Sequence, residues 1–231
     1  MAQPPKIKLL PDRGKRKPYP LSWDEQDRLF AELPEHLRQM ALLKVNTGLR
    51  DGDVCGLLWE NEVSVPELDI SVFVIPVDRV KDTDYQRDDD RLVVLNSAAR
   101  RVVKERRGQH PTHVFAYKDA PIDRIGNSAW YKAKRRAGLS QVRVHDLKHT
   151  FGRRLRAAGV KFEDRQDLLG HRSTRMTTHY SVAEVFNLIE MAELVAERPA
   201  RESQPLLLIN RRRRTIPAAG IMQRLCDTTS P

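Results

Sequence analysis

Two short β-branched runs, "DISVFVIPV" (69–77) and "RLVVLN" (91–96), stand in a chain otherwise punctuated as helices. Between them lies the polar stretch "DRVKDTDYQRDDD", which reads as a hairpin, and "HVFAY" reads as a third short strand. Everything around them carries helix signals. Ser22 can cap a helix and Glu25, three residues later, completes a capping box. A second helix follows Pro34 and stops at Gly48. "LRDGDVCGLLW" is a short amphipathic helix, and "SAARRVVKERRG" is a helix capped by Asn96 or Ser97. "NSAWYKAKRRAGL" ends at Gly138, "FEDRQDLLG" ends at Gly170, and helices also fit "VRVHDLKHTFGRRLRAAG" and "VAEVFNLIEMAELVAE". Few strands can make only a small sheet. The expected class is mainly α with a small antiparallel β-sheet (α+β).

Charge narrows the partners. The 231 residues carry a formal net charge of +10, with 40% hydrophobic residues, enough for a packed core. Clustered Lys and Arg release condensed counterions from nucleic acid, so a polyanionic partner is indicated. The two cysteines, Cys55 and Cys226, form no C-x-x-C pair, so no disulfide framework or zinc ribbon is suggested, and a reducing compartment fits. No apolar run approaches the roughly 20 residues that span a bilayer, so no membrane partner is expected. Residues 1–20 are basic and broken by prolines, reading as an arm or linker remnant. Residues 198–231 form a basic tail.

The stretch 142–159 poses the chemical question. His145 and His149 are four residues apart and share a helix face, with Asp146 after the first. That is the spacing of two zinc ligands with an acid between them. Asp146 is one methylene shorter than the glutamate such a site uses, and Glu163 is one of several unremarkable third ligands. Asp88–Asp90 reads as a solvated turn. The alternative is a phosphate site, in which a histidine is followed three residues later by a cation, Lys148.

The rest of the chain favours phosphate. "TGLRDGDVCGLLW" supplies Arg50 and Asp53, the hairpin supplies Lys81, and "LLGHRSTRMTTHYS" supplies His171 and, nine residues later, Tyr180. The order G-L-R-x-x-D, hairpin Lys, H-x-x-cation, L-G-H, Tyr resembles the catalytic domain of tyrosine recombinases, the lambda-integrase-like phage integrases, over about residues 21–197. The resemblance implies the DNA breaking-rejoining fold and site-specific recombination through a 3′-phosphotyrosine, with neither metal nor ATP and no cofactor. It implies Tyr180 as nucleophile, Arg50 as phosphate clamp, His145 as proton acceptor, Lys148 as a second cation, His171 as a phosphate donor and Lys81 as general acid to the departing 5′-oxygen. Asp53 and His149 are supporting residues. Double-stranded DNA is the implied partner, with a homotetramer on DNA, in a bacterial cytoplasm and near its nucleoid.

Two features depart from the family pattern. Lysine stands at 148 where the family has arginine, which keeps a positive charge and loses the bidentate fork. Almost nothing precedes residue 21, so the expectation is that the upstream core-binding domain is absent. A truncated or inactive remnant that only binds DNA is the alternative these departures allow. Lys132, Lys134, Arg135 and Arg136 offer further DNA-phosphate contacts, whereas Trp130 reads as core. The last helix carries an apolar stripe that fits either its own domain or a neighbouring subunit.

Overall fold

A computed structural model describes residues 16–76, 90–170 and 180–199. Eight α-helices appear among the described residues: α1 (Trp23–Ala31), α2 (Glu35–Thr47), α3 (Asp51–Cys55), α4 (Ser97–Arg106), α5 (Ser128–Arg136), α6 (Val144–Ala157), α7 (Phe162–Leu169) and α8 (Val182–Glu193). An antiparallel sheet joins β1 (Glu62–Val65), β2 (Ile70–Ile75) and β3 (Arg91–Val93) in that order. β4 (Ala116–Tyr117) and β5 (Ala120–Pro121) form a separate two-stranded hairpin. The helical majority and the small antiparallel sheet are those expected. None of the described helices is long and apolar enough to cross a membrane.

Local signals set most boundaries. Ser22 accepts from the Glu25 amide while Glu25 accepts from the Ser22 amide, closing the capping box of α1. Gly48 ends α2 at φ 63° and Gly170 ends α7 at φ 58°, the left-handed conformation that a Cβ disfavours. At α4 the cap is Asn96, whose side chain accepts from the Ala99 amide. The "HVFAY" segment divides: His113 makes an isolated bridge to Leu58, and Ala116 opens the small hairpin.

The three-stranded sheet separates two apolar layers. Phe73, Ile75, Val93 and Leu95 face a larger core with α1, α2, α4 and α5, while Val72 and Val94 face a smaller one with α7 and α8. Period-two alternation sends neighbouring residues to opposite faces, so one short sheet serves both cores. Helix α6 spans both layers: Leu147 lies in the first, Phe151 and Leu155 in the second. Helix α2 runs through the middle, with Leu37, Met40, Ala41 and Leu43 fully buried.

Both ends of the described chain are tied to this frame. The Tyr19 amide donates to Asp146 Oδ1 (3.1 Å) and the Leu21 amide donates to Thr150 Oγ1 (2.9 Å). At the other end Arg198 pairs with Asp24 at 2.5 Å. Helix α8 packs within its own chain: Val185, Leu188 and Ala192 are buried, the Ser97 amide donates to Glu193, and Asn96 donates to the Ala192 carbonyl. Trp130 is core, as expected.

Candidate active site

The site is built where α3, α6, α7 and β3 meet. Arg50 is the N-cap residue of α3. Its backbone amide donates to Asp53 Oδ2 (3.1 Å), and that same oxygen accepts from Arg91 Nη1 (2.9 Å). Asp53 thus caps the turn that presents Arg50 and anchors a second guanidinium. Arg91 Nη2 also donates to the Gly48 carbonyl (3.3 Å).

Lys148 comes from α6 and is 5% exposed. Its Nζ donates to the Leu169 carbonyl (2.7 Å), one of the orphan carbonyls at the end of α7. Burial, then the charges of Arg91 and Arg50, push its ammonium down to about 6. In this pocket the amine sheds its proton readily, because it is desolvated among cations.

Lys44, on α2, is a member of this group that sequence reading missed. It is fully buried, and its Nζ donates to the Leu49 carbonyl at 2.5 Å. Burial lowers its ammonium to about 8, against the opposing pull of Asp51 and Asp53. Arg91 was missed as well. Lys44 falls on the apolar stripe of α2, and Arg91 shares the inward face of β3 with Val93, which were the available signals.

His145 and His149 stack edge to face, their centroids 4.7 Å apart. Partial burial, then His149, Lys44 and Lys148, hold the His145 imidazole down at about 4. It is therefore neutral at pH 7 and able to take a proton. His149 is lowered too, chiefly by burial. Asp146 has a different task from that of a metal-site base. It is fully buried and accepts from the Tyr19 and Arg143 amides, capping α6. Among the described residues no group of three or more His, Cys, Asp or Glu is placed to hold a metal.

Tyr180 stands 39% exposed, immediately before Ser181, the N-cap of α8. Lys81 and His171 lie outside the described residues. Lys148 links the predicted residues: the charges of Arg50 and Asp53 act on it, and it acts with His149 on His145. The α5 residues divide. Lys134 donates to the Ser140 and Val142 carbonyls and Arg136 grips Glu32, while Lys132 and Arg135 stay exposed.

Residues 21–185 match the phage integrase family. The chain belongs to that family. It is 29% identical over 205 residues to the integrase of Salmonella phage P22, covering 83% of this chain and 50% of the P22 protein. The integrase of mycobacterium phage Brujita has a similar fold, with TM-score 0.55, 22% identity, and coverage of 84% of this chain and 63% of that one. So does a lambda integrase dimer bound to a COC′ core site, with TM-score 0.53, 20% identity, and coverage of 73% and 62%. The chain therefore spans about half the length of the P22 integrase. The fold is that of the tyrosine recombinase catalytic domain.

Proposed function

We propose that this phage integrase domain catalyses site-specific DNA strand exchange, for recombination or integration of a mobile element, through a tyrosine nucleophile. The observation that carries the reading is the convergence of Arg50, Arg91, His145 and Lys148, widely separated in sequence, into one cluster of basic side chains where α3, α6, α7 and β3 meet. Charge accumulates on the non-bridging phosphate oxygens in the transition state, and donors already in place stabilise it without reorganising. Tyr180 attacks phosphorus. The P–O5′ bond breaks, a 3′-phosphotyrosine forms, and the 5′-hydroxyl leaves. Arg50 clamps a phosphate oxygen. His145, neutral at pH 7, accepts the phenolic proton. Lys81 supplies a proton to the 5′-oxygen, and His171 donates to the phosphate. Reversal with a different strand completes the exchange and conserves bond energy, so no ATP is required, and on this reading the basic side chains stabilise the phosphate charge in place of a metal.

Double-stranded DNA is the partner on this reading, and a homotetramer on DNA the working assembly. A lambda integrase dimer bound to a COC′ core site and a lambda integrase tetramer bound to a Holliday junction support both. Exposed Lys132 and Arg135 add phosphate contacts. The setting is the cytoplasm, on nucleoid DNA.

A nicked suicide substrate tests the reading, because loss of the short 5′-hydroxyl strand traps the covalent intermediate. The expected result is a denaturation-resistant protein–DNA adduct, formed in chelator, that Tyr180→Phe abolishes. An adduct that survives Tyr180→Phe would overturn the assignment of the nucleophile.

A further inference from the structure

Arg91 is a buried, doubly anchored cation of the site, and none of the roles above uses it. It opens β3, paired with Ile75, and is 5% exposed. One arm of its guanidinium donates to Asp53, whose same oxygen caps the Arg50 amide; the other donates to the Gly48 carbonyl. Its third face is covered by the end of α7. A Cβ added to Gly170 would stand 2.4 Å from Arg91 Nε and 2.8 Å from Cζ. The carbonyl just before Gly170, that of Leu169, is the one that holds Lys148.

We propose that Arg91 is a positioning residue of the phosphate site, one guanidinium that ties the turn presenting Arg50 to the helix end that anchors Lys148. The proposal rests on the phosphate-site reading above. Two features of the chemistry support it. A guanidinium reaches two acceptors at once in a fixed fork, which an ammonium does not. Asp53, buried with it, joins the Arg91 guanidinium and the Arg50 backbone amide through a single oxygen, so a shift in one moves the other. The charge of Arg91 also acts on Lys148, first among the charges that hold its ammonium low. Catalytic cations misplaced by about 1 Å lose on the order of 10²-fold in rate, so the spacing matters as much as the charge.

The test has two arms, run on wild type, Arg91→Lys, Asp53→Asn and the double variant. The first is amide hydrogen exchange of the protein without DNA. Arg91→Lys is expected to speed exchange about tenfold at both turns, residues 48–53 and 168–170, and to leave α1 and α5 unchanged. The second is single-turnover cleavage of the suicide substrate beside DNA affinity at fixed salt. The cleavage rate is expected to fall about 10–100-fold while affinity stays within about threefold. The double variant is expected to be no slower than the slower single, because the two residues act through one contact. Unchanged exchange at either turn, a uniform rise along the whole chain, or equal losses of rate and affinity would overturn the proposal. A wild type that forms no adduct sinks the phosphotyrosine reading instead, and the exchange arm still decides the role of Arg91. Arg91→Lys keeps the charge, so the comparison does not depend on a variant with a bare buried carboxylate.

Discussion

The same local device appears at the two ends of the proposed chemistry, built in opposite surroundings. At α3 the third helical residue, Asp53, reaches back to the Arg50 amide; at α8 the third residue, Glu184, reaches back to the Ser181 amide at 2.7 Å. Asp53 is buried and shared with Arg91, whereas Glu184 is exposed. Around Arg50 the cap belongs to a network inside the fold. Beside Tyr180 it belongs to a helix that the protein grips along one stripe, leaving Val182 and Phe186 more than 40% exposed. The difference fits the work each end has to do. Cations that stabilise a developing charge are most effective when fixed before the reaction. A nucleophile that must meet a phosphate and later give it up is better presented at the surface.

The largest break in this comparison is Asp53→Ala. It leaves the Arg91 charge buried without its carboxylate, which costs about 3–5 kcal/mol when one partner of a buried pair is removed. Chemical denaturation should show a loss of that order, and cleavage should fall with it. A loss under about 1 kcal/mol would mean that the buried network is no stronger than an exposed cap.

Next is Gly170→Ala, set against Gly138→Ala. Both glycines have positive φ, 58° and 71°. A Cβ at Gly138 meets nothing within 4 Å, so only the backbone term of about 1 kcal/mol applies. At Gly170 the Cβ collides with the Arg91 guanidinium, and the two must move apart. We expect Gly170→Ala to cost about 1–3 kcal/mol more than its counterpart and to slow cleavage, while Gly138→Ala cleaves at the wild-type rate.

How much of this was legible beforehand follows the range of each interaction. Caps and glycine stops act within a turn, so the starts of α1 and α4 and the ends of α2 and α7 could be read from a few residues. Strand β1 escaped, since "EVSV" buries neither of its central residues and owes its existence to pairing with β2. The motif residues Arg50, His145 and Lys148, which the fold gathers into the candidate site, could be picked out by their order and spacing. Arg91 and Lys44 could not, because what brings them to the candidate site is burial against Asp53 and the Leu49 carbonyl, contacts that only the fold supplies. The converse holds on α5. Lys134 and Arg136 look like free cations in sequence, but carbonyls and Glu32, brought in by the fold, take them. Lys148 shows the same limit in its charge, which depends on cations contributed by α2, α3 and β3.

That charge gives a third, smaller prediction. Lys148 titrates near 6 in the fold but near 10.4 in an unfolded chain. Between those values the unfolded chain binds the extra proton. The stability contributed by the neutral amine is therefore present above about pH 10 and is lost as pH falls towards 6. Lys148→Met removes this dependence. It should be more stable than wild type at pH 6 by about 1–3 kcal/mol, since an apolar replacement of a buried charge is often stabilising. The gap should close as pH rises to 9. Binding to DNA should show the opposite face of the same linkage. A phosphate next to Lys148 favours the ammonium, so wild-type affinity should fall as pH rises above 6, with proton uptake detectable by calorimetry in buffers of different ionisation enthalpy. A pH-independent stability gap would place the Lys148 amine in water.

The smallest effect is expected at Glu184→Ala, and it decides what the exposed end is for. Ser181 would still accept from the residue-184 amide, so half of the capping box survives, and the loss should be about 0.5–1 kcal/mol. Global stability should scarcely register it, because α8 is held by Val185, Leu188 and Ala192 on its inner stripe and by Glu193 at its far end. The first turn of α8 should fray, and Tyr180 is attached directly to that turn. If presentation of the nucleophile depends on the cap, adduct formation slows several-fold at unchanged DNA affinity, a change in rate without a change in binding. If instead adduct formation keeps its wild-type rate, Tyr180 is positioned by the DNA or by a neighbouring subunit, and the contrast between the buried and exposed caps is one of stability alone. The identical substitution logic at Asp53 moves stability first and rate with it, so the pair separates a carboxylate that holds the site together from one that only orients the residue at its edge.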